Sequence, residues 1–425
     1  MKYPKILVIS HNCFSQSGSN GRTLANFFIG YPEEQLAQFY IYNEMPDSSV
    51  CRNYYRVTDK EAVKSIVGEN VGTVIKNETQ KSTNEICISE YRKPKKTPLI
   101  YLLRECVWSA GRWKNKKLKD WIDSIAPDLI LFQAGDAAFL FAFAHKLAEE
   151  RDIPLVIYNS ESYYFKEKNY LKNSLGAKFW YKILHWNFKR CASRAIVFSS
   201  ASIYISDMLQ QLYYNEFKKP SYTIMTSTEL VGEYNYSKGV DTRITYMGNL
   251  GVGRTDTLIE LGKILQSIDE NYKINVYGRA SEDVITLLKG SQGIRYCGFV
   301  PYKECVKIMM ESTLLIHVEN FSEFYLEDSQ YAFSTKIADS LASGTCLFLY
   351  APKEISCSQY LNEHQAACVA NDSKAAYDKL QELLKNEDLR NNYAKRGMEI
   401  VRENHSLENN RKKFWHILME AWERS

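Results

Sequence analysis

Short apolar runs rich in β-branched residues alternate along this 425-residue chain with longer amphipathic segments, which predicts parallel strands joined by crossover helices. Two such series stand in tandem. The first has apolar runs at 5–10, 36–42, 128–132, 155–158, 195–199 and 222–225, with helical periodicity at 21–28, 137–150 and 177–194. The second has runs at 243–247, 273–277, 294–297, 314–318, 345–350 and 366–369, again with helical patterns between them. A polar stretch at 231–241 separates the series and reads as a linker. Residues 68–98 are polar and weakly periodic, which predicts a mobile insertion rather than a core element. At the C-terminal end, Leu407, Phe414, Ile417, Leu418 and Trp422 fall at helical spacing, so residues 406–422 need an apolar surface to pack on. The expected architecture is α/β, with two Rossmann-like doubly wound domains facing each other across a cleft. Residues 1–232 form the first, 233–404 the second, and 405–425 a helix that packs back on the first.

Composition sharpens this picture. A single hydrophobic core rarely serves 425 residues, so length alone favours two domains. Apolar content of 45% with 24% charged residues is globular, and no apolar run of membrane-spanning length or leading signal segment is visible. A soluble, cytoplasmic protein is expected. Ten cysteines are scattered without a C-x-x-C pair, which argues against a zinc knuckle or redox dithiol and for buried free thiols. Net charge is +4, but residues 92–119 carry ten basic side chains against one acid, Glu105, and include Trp108 and Trp113. That stretch reads either as a solvated helix face or as a contact with acidic lipid headgroups at the cytoplasmic membrane face.

In open parallel sheets ligands sit beyond the carboxyl ends of strands, so residues just after each run weigh most. Phe333-Ser334-Thr335-Lys336-Ile337-Ala338-Asp339 follows a buried run and opens a helix. Ser334 and Thr335 can cap that helix, its amides and dipole attract an anion, Lys336 adds a charge, and Asp339 can accept ribose hydroxyls. An ordinary capped helix with solvated Lys336 and Asp339 is the alternative. Gly248-Asn249-Leu250-Gly251-Val252-Gly253-Arg254 repeats the order of strand, Gly-rich turn, base and helix, and places Arg254 to grip a phosphate. Gly278, and Gly298 with Phe299 and Val300, also follow strands, where backbone groups can read a nucleobase edge. In the first series, His11 and the loop with Gly18, Asn20 and Gly21 follow the first strand, while Gln133, Asp136 and Glu161 lie at or past later strand ends. Gln133, Asp136 or Glu161 could orient or deprotonate a hydroxyl, with Asp136 alternatively a helix cap and His11 alternatively structural. No Asp-x-Asp pair occurs, so fixed cations rather than a metal are expected to neutralise a leaving phosphate.

These residues resemble the retaining glycosyltransferases of family 4, of the bacterial polysaccharide-assembly type, which have the GT-B fold. Gly248 to Arg254 is similar to the family's G-R-L-x-x-x-K turn, Gly298-Phe299-Val300 to its nucleobase loop, and Thr335 to Gly344 to its E-x7-E region with the A-x-G helix end. Asn20 to Leu24, Gly135-Asp136-Ala137 and Tyr158 to Glu161 also look like members of that group. The resemblance implies that Arg254 stands at the phosphate-binding Lys, with Asn249 in place of the usual Arg. Asp339 falls at the ribose-binding Glu and Tyr331 at the other Glu, so Glu319 is favoured over Glu323 and Glu327 as the carboxylate near the sugar.

The expected activity is transfer of a sugar, with retention, from a nucleotide diphosphate sugar to a saccharide or lipid-linked saccharide acceptor in surface polysaccharide biosynthesis. No cofactor beyond the donor co-substrate, no metal and no nucleic-acid partner are expected. The departures at Asn249 and Tyr331 keep open a non-catalytic protein that binds a sugar nucleotide and serves an assembly complex. A sugar-nucleotide epimerase is a third class, and it gives the basic-aromatic stretch no use.

Overall fold

A computed structural model describes residues 3–16, 19–76, 97–230 and 242–424; Gly18, residues 77–96, which take in the start of the basic stretch, and the linker at 231–241 lie outside them. The chain divides into two compact units, one of residues 1–205, 209–224 and 411–425 and one of residues 206–208 and 225–410. Each is a Rossmann-like α/β domain built on a parallel-sheet core.

The first unit's sheet has the order β4-β3-β2-β1-β5-β6-β7-β8, with β1 (Ile6–Ser10), β2 (Leu36–Tyr40), β3 (Asn53–Arg56), β4 (Thr73–Lys76), β5 (Leu129–Gln133), β6 (Leu155–Asn159), β7 (Ala201–Tyr204) and β8 (Ser221–Thr223). β1, β2, β5 and β6 are buried along their whole length, as expected of strands covered by helices on both faces. Two expectations change here. Residues 195–198 are not a strand but the last turn of the helix Ala177–Phe198, with Ser199 its C-cap, and the strand is the next run, Ala201–Tyr204. The stretch from 68 is not wholly outside the core sheet, because Thr73–Lys76 pairs antiparallel with β3. The sheet reverses its order at β1, which pairs with β2 on one side and β5 on the other.

The second sheet runs β11-β10-β9-β12-β13-β14, with β9 (Ile244–Met247), β10 (Ile274–Tyr277), β11 (Ile294–Gly298), β12 (Leu314–Val318), β13 (Leu347–Tyr350) and β14 (Cys368–Ala370). Its order reverses between β9 and β12, and the crevice beyond their carboxyl ends is where such a sheet presents ligands. The C-terminal helix Leu407–Glu423 runs from the second unit into the first. There Phe414 stacks on Phe27 at 4.5 Å, and Trp415 donates its indole N–H to the Phe27 carbonyl at 2.6 Å.

The basic-aromatic stretch turns inward rather than outward. Trp108 and Trp113 are 1% and 0% exposed, and Trp108 stacks on Phe139 at 4.4 Å. Neither indole is available to a lipid surface. Glu105, the lone acid of that stretch, is also buried and accepts from the backbone N–H of Ala138 and of Phe139, each at 3.0 Å. It therefore caps the helix Ala138–Arg151, and Asp136 does not. Burial pushes the Glu105 carboxyl up to about 7, against the opposing pull of Arg104 and the two amides.

Replacing Glu105 by Ala leaves two buried amides unsatisfied and should lower unfolding stability by about 1–3 kcal/mol, whereas Asp136→Ala should change it by less than about 0.5 kcal/mol. Denaturant unfolding of both variants checks the assignment, and a larger loss for Asp136→Ala would overturn it.

Candidate functional site

At the switch point of the second sheet, β9 ends in the turn that begins with Gly248. The turn is shaped by close backbone contacts. A Cβ at Gly278 would lie 2.3 Å from the Gly248 carbonyl oxygen, and one at Gly253, whose φ is +70°, would lie 2.6 Å from the Asn320 amide nitrogen. Asn320 donates to the Gly253 carbonyl at 2.8 Å, and Asn249 accepts the Gly251 N–H at 2.9 Å. Beyond this turn opens a cavity of about 280 Å³. Gly248, Asn249, Gly278, Phe299, Val300, Lys336 and Asp339 line it, which gathers seven of the ten residues expected to hold a donor. Arg254, Ser334 and Thr335 are not among the lining residues.

Arg254 opens the helix Arg254–Ile268 and is engaged by Glu319, which follows β12. Its Nη2 donates to Oε1 at 2.6 Å and its Nε to Oε2 at 3.0 Å, while His317 Nε2 lies 3.1 Å from Oε1. Burial alone would raise the Glu319 carboxyl, but His317 and Arg254 outweigh it and hold the group below the usual carboxylate range. Glu319, expected beside a sugar, is thus buried with both oxygens bonded. Arg254, expected on a phosphate, spends two donors on it.

Lys336 lies at the head of the helix Thr335–Ala342, with its aliphatic arm near Gly248. Among the described residues it has no ion pair. Loss of solvent around its ammonium, then the charge of Arg254, lowers its pKa, while Asp339 and Glu319 pull the other way. The charge of Arg254 is thus felt at Lys336. Ser334 occupies the N-cap position, yet its hydroxyl makes no capping bond to the first-turn amides, so the expected side-chain cap is absent there. The Ile337 N–H donates instead to the Ser334 carbonyl at 3.1 Å, which leaves the amides of Thr335 and Lys336 at the helix N-terminus facing outward from the ladder. Asp339 Oδ1 accepts from Thr228 Oγ1 at 2.6 Å and from the Tyr302 hydroxyl at 3.2 Å. The guanidinium of Arg279 lies 4.1 Å from the ring centre of Phe299, which makes a flat cation–aromatic wall beside the cavity. Sequence reasoning did not single out Tyr302, Thr228 or the Arg279 side chain. The only cue was that Arg279 follows a strand-end glycine.

In the first unit the switch point brings His11 and Asp136 together from the ends of β1 and β5. His11 Nε2 is 3.7 Å from Asp136 Oδ1 and, though buried, has no hydrogen-bond partner among the described residues. Gly135 is required beside it, because a Cβ there would lie 2.4 Å from His11 Cε1. Burial, the largest influence, pushes His11 down to about 4, and Asp136 pulls it partly back. Asp136 also raises Tyr42, Tyr101, Tyr163 and Tyr170, after burial in each case, so its charge is felt by four phenols. Glu161 follows β6, donates its N–H to Asn159 Oδ1 at 3.1 Å, and acts on Tyr163 with Asp136. Gln133 is buried as the last residue of β5. Asn20 and Gly21 lie inside the helix Ser19–Phe27 rather than in a loop, where a Cβ on Gly21 would meet the Cys13 carbonyl oxygen at 2.3 Å. Gly18 is outside the described residues.

Comparison with known proteins agrees with this architecture. Residues 254–415 match the model of a glycosyl transferase-like family. Sucrose-phosphate synthase from Thermosynechococcus elongatus is similar with a TM-score of 0.64 at 12% identity, over 100% of both chains. Alr3699/HepE from Anabaena, solved in complex with UDP, gives 0.63 at 10% identity over 98% of this chain and 100% of that one. WaaG, a glycosyltransferase involved in lipopolysaccharide biosynthesis, gives 0.57 at 10% identity over 97% and 99%. No curated protein matches the sequence. The chain has the two-domain GT-B fold. Among the described residues no helix is long and apolar enough to cross a membrane, and no group of three or more His, Cys, Asp or Glu could hold a metal ion.

His11 should titrate near 4 in the folded protein, and Asp136→Asn should lower it further by removing a favourable charge. Its folded pKa lies below its unfolded value, so the native state binds fewer protons in that window. Stability is then full above about pH 6.5 and declines as pH falls toward about 4. Histidine NMR with pH-dependent unfolding checks both, and a His11 midpoint near 6.5 would sink the assignment.

Proposed function

We propose that the protein transfers a sugar from a nucleotide diphosphate sugar to a hydroxyl of a saccharide or lipid-linked saccharide, with retention and without a metal, during surface polysaccharide assembly in the cytoplasm. The observation that carries this reading is Lys336, which has no ion pair among the described residues, feels the charge of Arg254 and lines a cavity with Asp339 and the Arg279–Phe299 wall. The diphosphate binds against Lys336 and the first-turn amides of its helix, the ribose against Asp339, and the base against Phe299. The bond from the sugar's anomeric carbon to the diphosphate breaks, and its electron pair leaves with the phosphate. The new bond to the acceptor oxygen forms on the same face, and the acceptor's proton passes to a departing phosphate oxygen. Fixed cations stabilise the charge that develops there. Asp136, Glu161 and His11 orient the acceptor, with Gln133 and the segment around Asn20 and Gly21 beside them. Glu319 positions Arg254.

The glycosyl transferase-like match, UDP in Alr3699/HepE and the lipopolysaccharide role of WaaG support this class of donor and acceptor. One observation favours a second reading. The bidentate Arg254–Glu319 pair leaves Arg254 few donors for a phosphate, which suits a protein that binds a sugar nucleotide without turning it over.

A thermal-shift screen across UDP-, GDP- and ADP-sugars should find one donor class that raises the melting temperature. Slow release of free nucleotide diphosphate from that donor supports the enzyme, and binding without release supports the accessory role. Lys336→Ala should cost at least about 2 kcal/mol of transition-state stabilisation, roughly 30-fold in transfer rate. Unchanged transfer by that variant would refute the proposed leaving-group role.

A further inference from the structure

The helix Ala177–Phe198 contains five Lys or Arg residues and no Asp or Glu in 22 positions. Its inner face is spoken for. Tyr181, Leu184, Phe188, Ala192 and Ala195 are buried at spacings of three and four, with Phe188 packed edge-on against Phe141 at 5.3 Å. Its outer face carries a second stripe at the same spacing, made of Phe179, Lys182, Trp186, Arg190, Arg194 and Val197. Phe179, Trp186 and Val197 are 60%, 63% and 56% exposed, and Leu175, just before the helix, is 98% exposed. The Arg190 guanidinium lies 5.2 Å from the Trp186 ring centre. Among the described residues none of Lys178, Lys182, Lys189, Arg190 and Arg194 is paired with a carboxylate. Large exposed apolar side chains interleaved with unneutralised cations are uncommon on a water-facing helix.

We propose that this face docks the protein on an anionic lipid bilayer, with the helix lying in the plane of the interface. Phe179, Trp186 and Leu175 enter the headgroup region, while the cations hold lipid phosphates and carry their aliphatic stems along the apolar boundary. Charge complementarity selects this occupant. A second copy of the chain would set two acid-free cationic faces against each other, and nucleic acid would give Leu175 and Val197 nothing apolar to bury against. At about 1.5 Å rise per residue the helix offers roughly 33 Å of contact, and it is not apolar enough to span. The site differs from the basic-aromatic stretch around Trp108, whose indoles are buried. It does not depend on the transferase reading, because binding is measured without donor or acceptor.

The test uses the full chain and phosphatidylcholine vesicles with or without phosphatidylglycerol. Co-sedimentation should occur with the anionic vesicles, weaken as salt rises, and fall about 25-fold for K182Q/R190Q, at about fivefold per cation. Trp186→Phe should keep binding but lose the tryptophan quenching that brominated acyl chains cause in the wild type. That readout stands even if the double variant folds poorly. Equal partition onto neutral and anionic vesicles, or quenching that survives Trp186→Phe, would overturn the proposal. So would a solution dimer that Phe179→Glu dissociates, since a second copy would then cover the face.

Discussion

A guanidinium taken out of water must meet a carboxylate, and in the second unit that requirement is met by Arg254 and Glu319, whose side chains are 17% and 5% exposed. The pair joins the first residue of one helix to the residue after β12, 65 positions on, so it spans the switch point of the sheet. Both ends are fixed further. Gly253 can adopt its positive φ and accept Asn320's close approach, while His317 holds the second side of Glu319. Such a pair adds little net stability over an apolar substitute, but removing one partner strands a buried charge at a cost of about 3–5 kcal/mol. Its consequence is positional: the neutralised pair is not part of the cavity lining, whereas Lys336 is, and among the described residues Lys336 has no ion pair.

The first unit meets the same geometric problem differently, with the Arg104–Asp59 pair at 2.8 Å acting on its switch point from outside the strand ends. Its switch point holds a buried imidazole that stays neutral because burial outweighs the pull of Asp136. Glu105 takes over the capping of the helix Ala138–Arg151, which releases the Asp136 carboxylate from that duty and leaves it facing His11 at 3.7 Å. In each unit a distant carboxylate satisfies the structural demand, Glu105 here and Glu319 there, and spares a nearer charged group, Asp136 here and Lys336 there, from it.

This division explains what could be read from sequence. The fully buried strands β1, β5 and β12 were legible because their runs are almost wholly apolar, and residues at the carboxyl ends of these strands and of β9 were legible because position relative to a strand is local. Gly248, Gly278, Lys336 and Asp339 are of this kind. Residues 195–199 misled because a short β-branched run fits a strand or the end of a buried helix equally well, and only the following run settled into the sheet. Trp108 and Trp113 misled because basic neighbours suggested a surface while the indoles faced the other way. The Arg254–Glu319 pair, the Glu105 cap and the Thr228 and Tyr302 bonds to Asp339 join residues 65, 33, 111 and 37 positions apart. No local pattern announces such contacts.

Asn249 shows how a sequence departure can be misjudged when a position is considered alone. It resembles a missing cation, yet its side chain accepts the Gly251 N–H and so shapes the turn. The positive charge at the cavity is supplied from another strand. Arg279, after β10, lies against Phe299 and is in no ion pair among the described residues, and Lys336 is likewise unpaired. Against these two cations the lining holds one carboxylate, Asp339, whose Oδ1 is already bonded by two hydroxyls. The balance of charge at the lining therefore favours an anion, and the cations that set it belong to elements other than the turn that lost one.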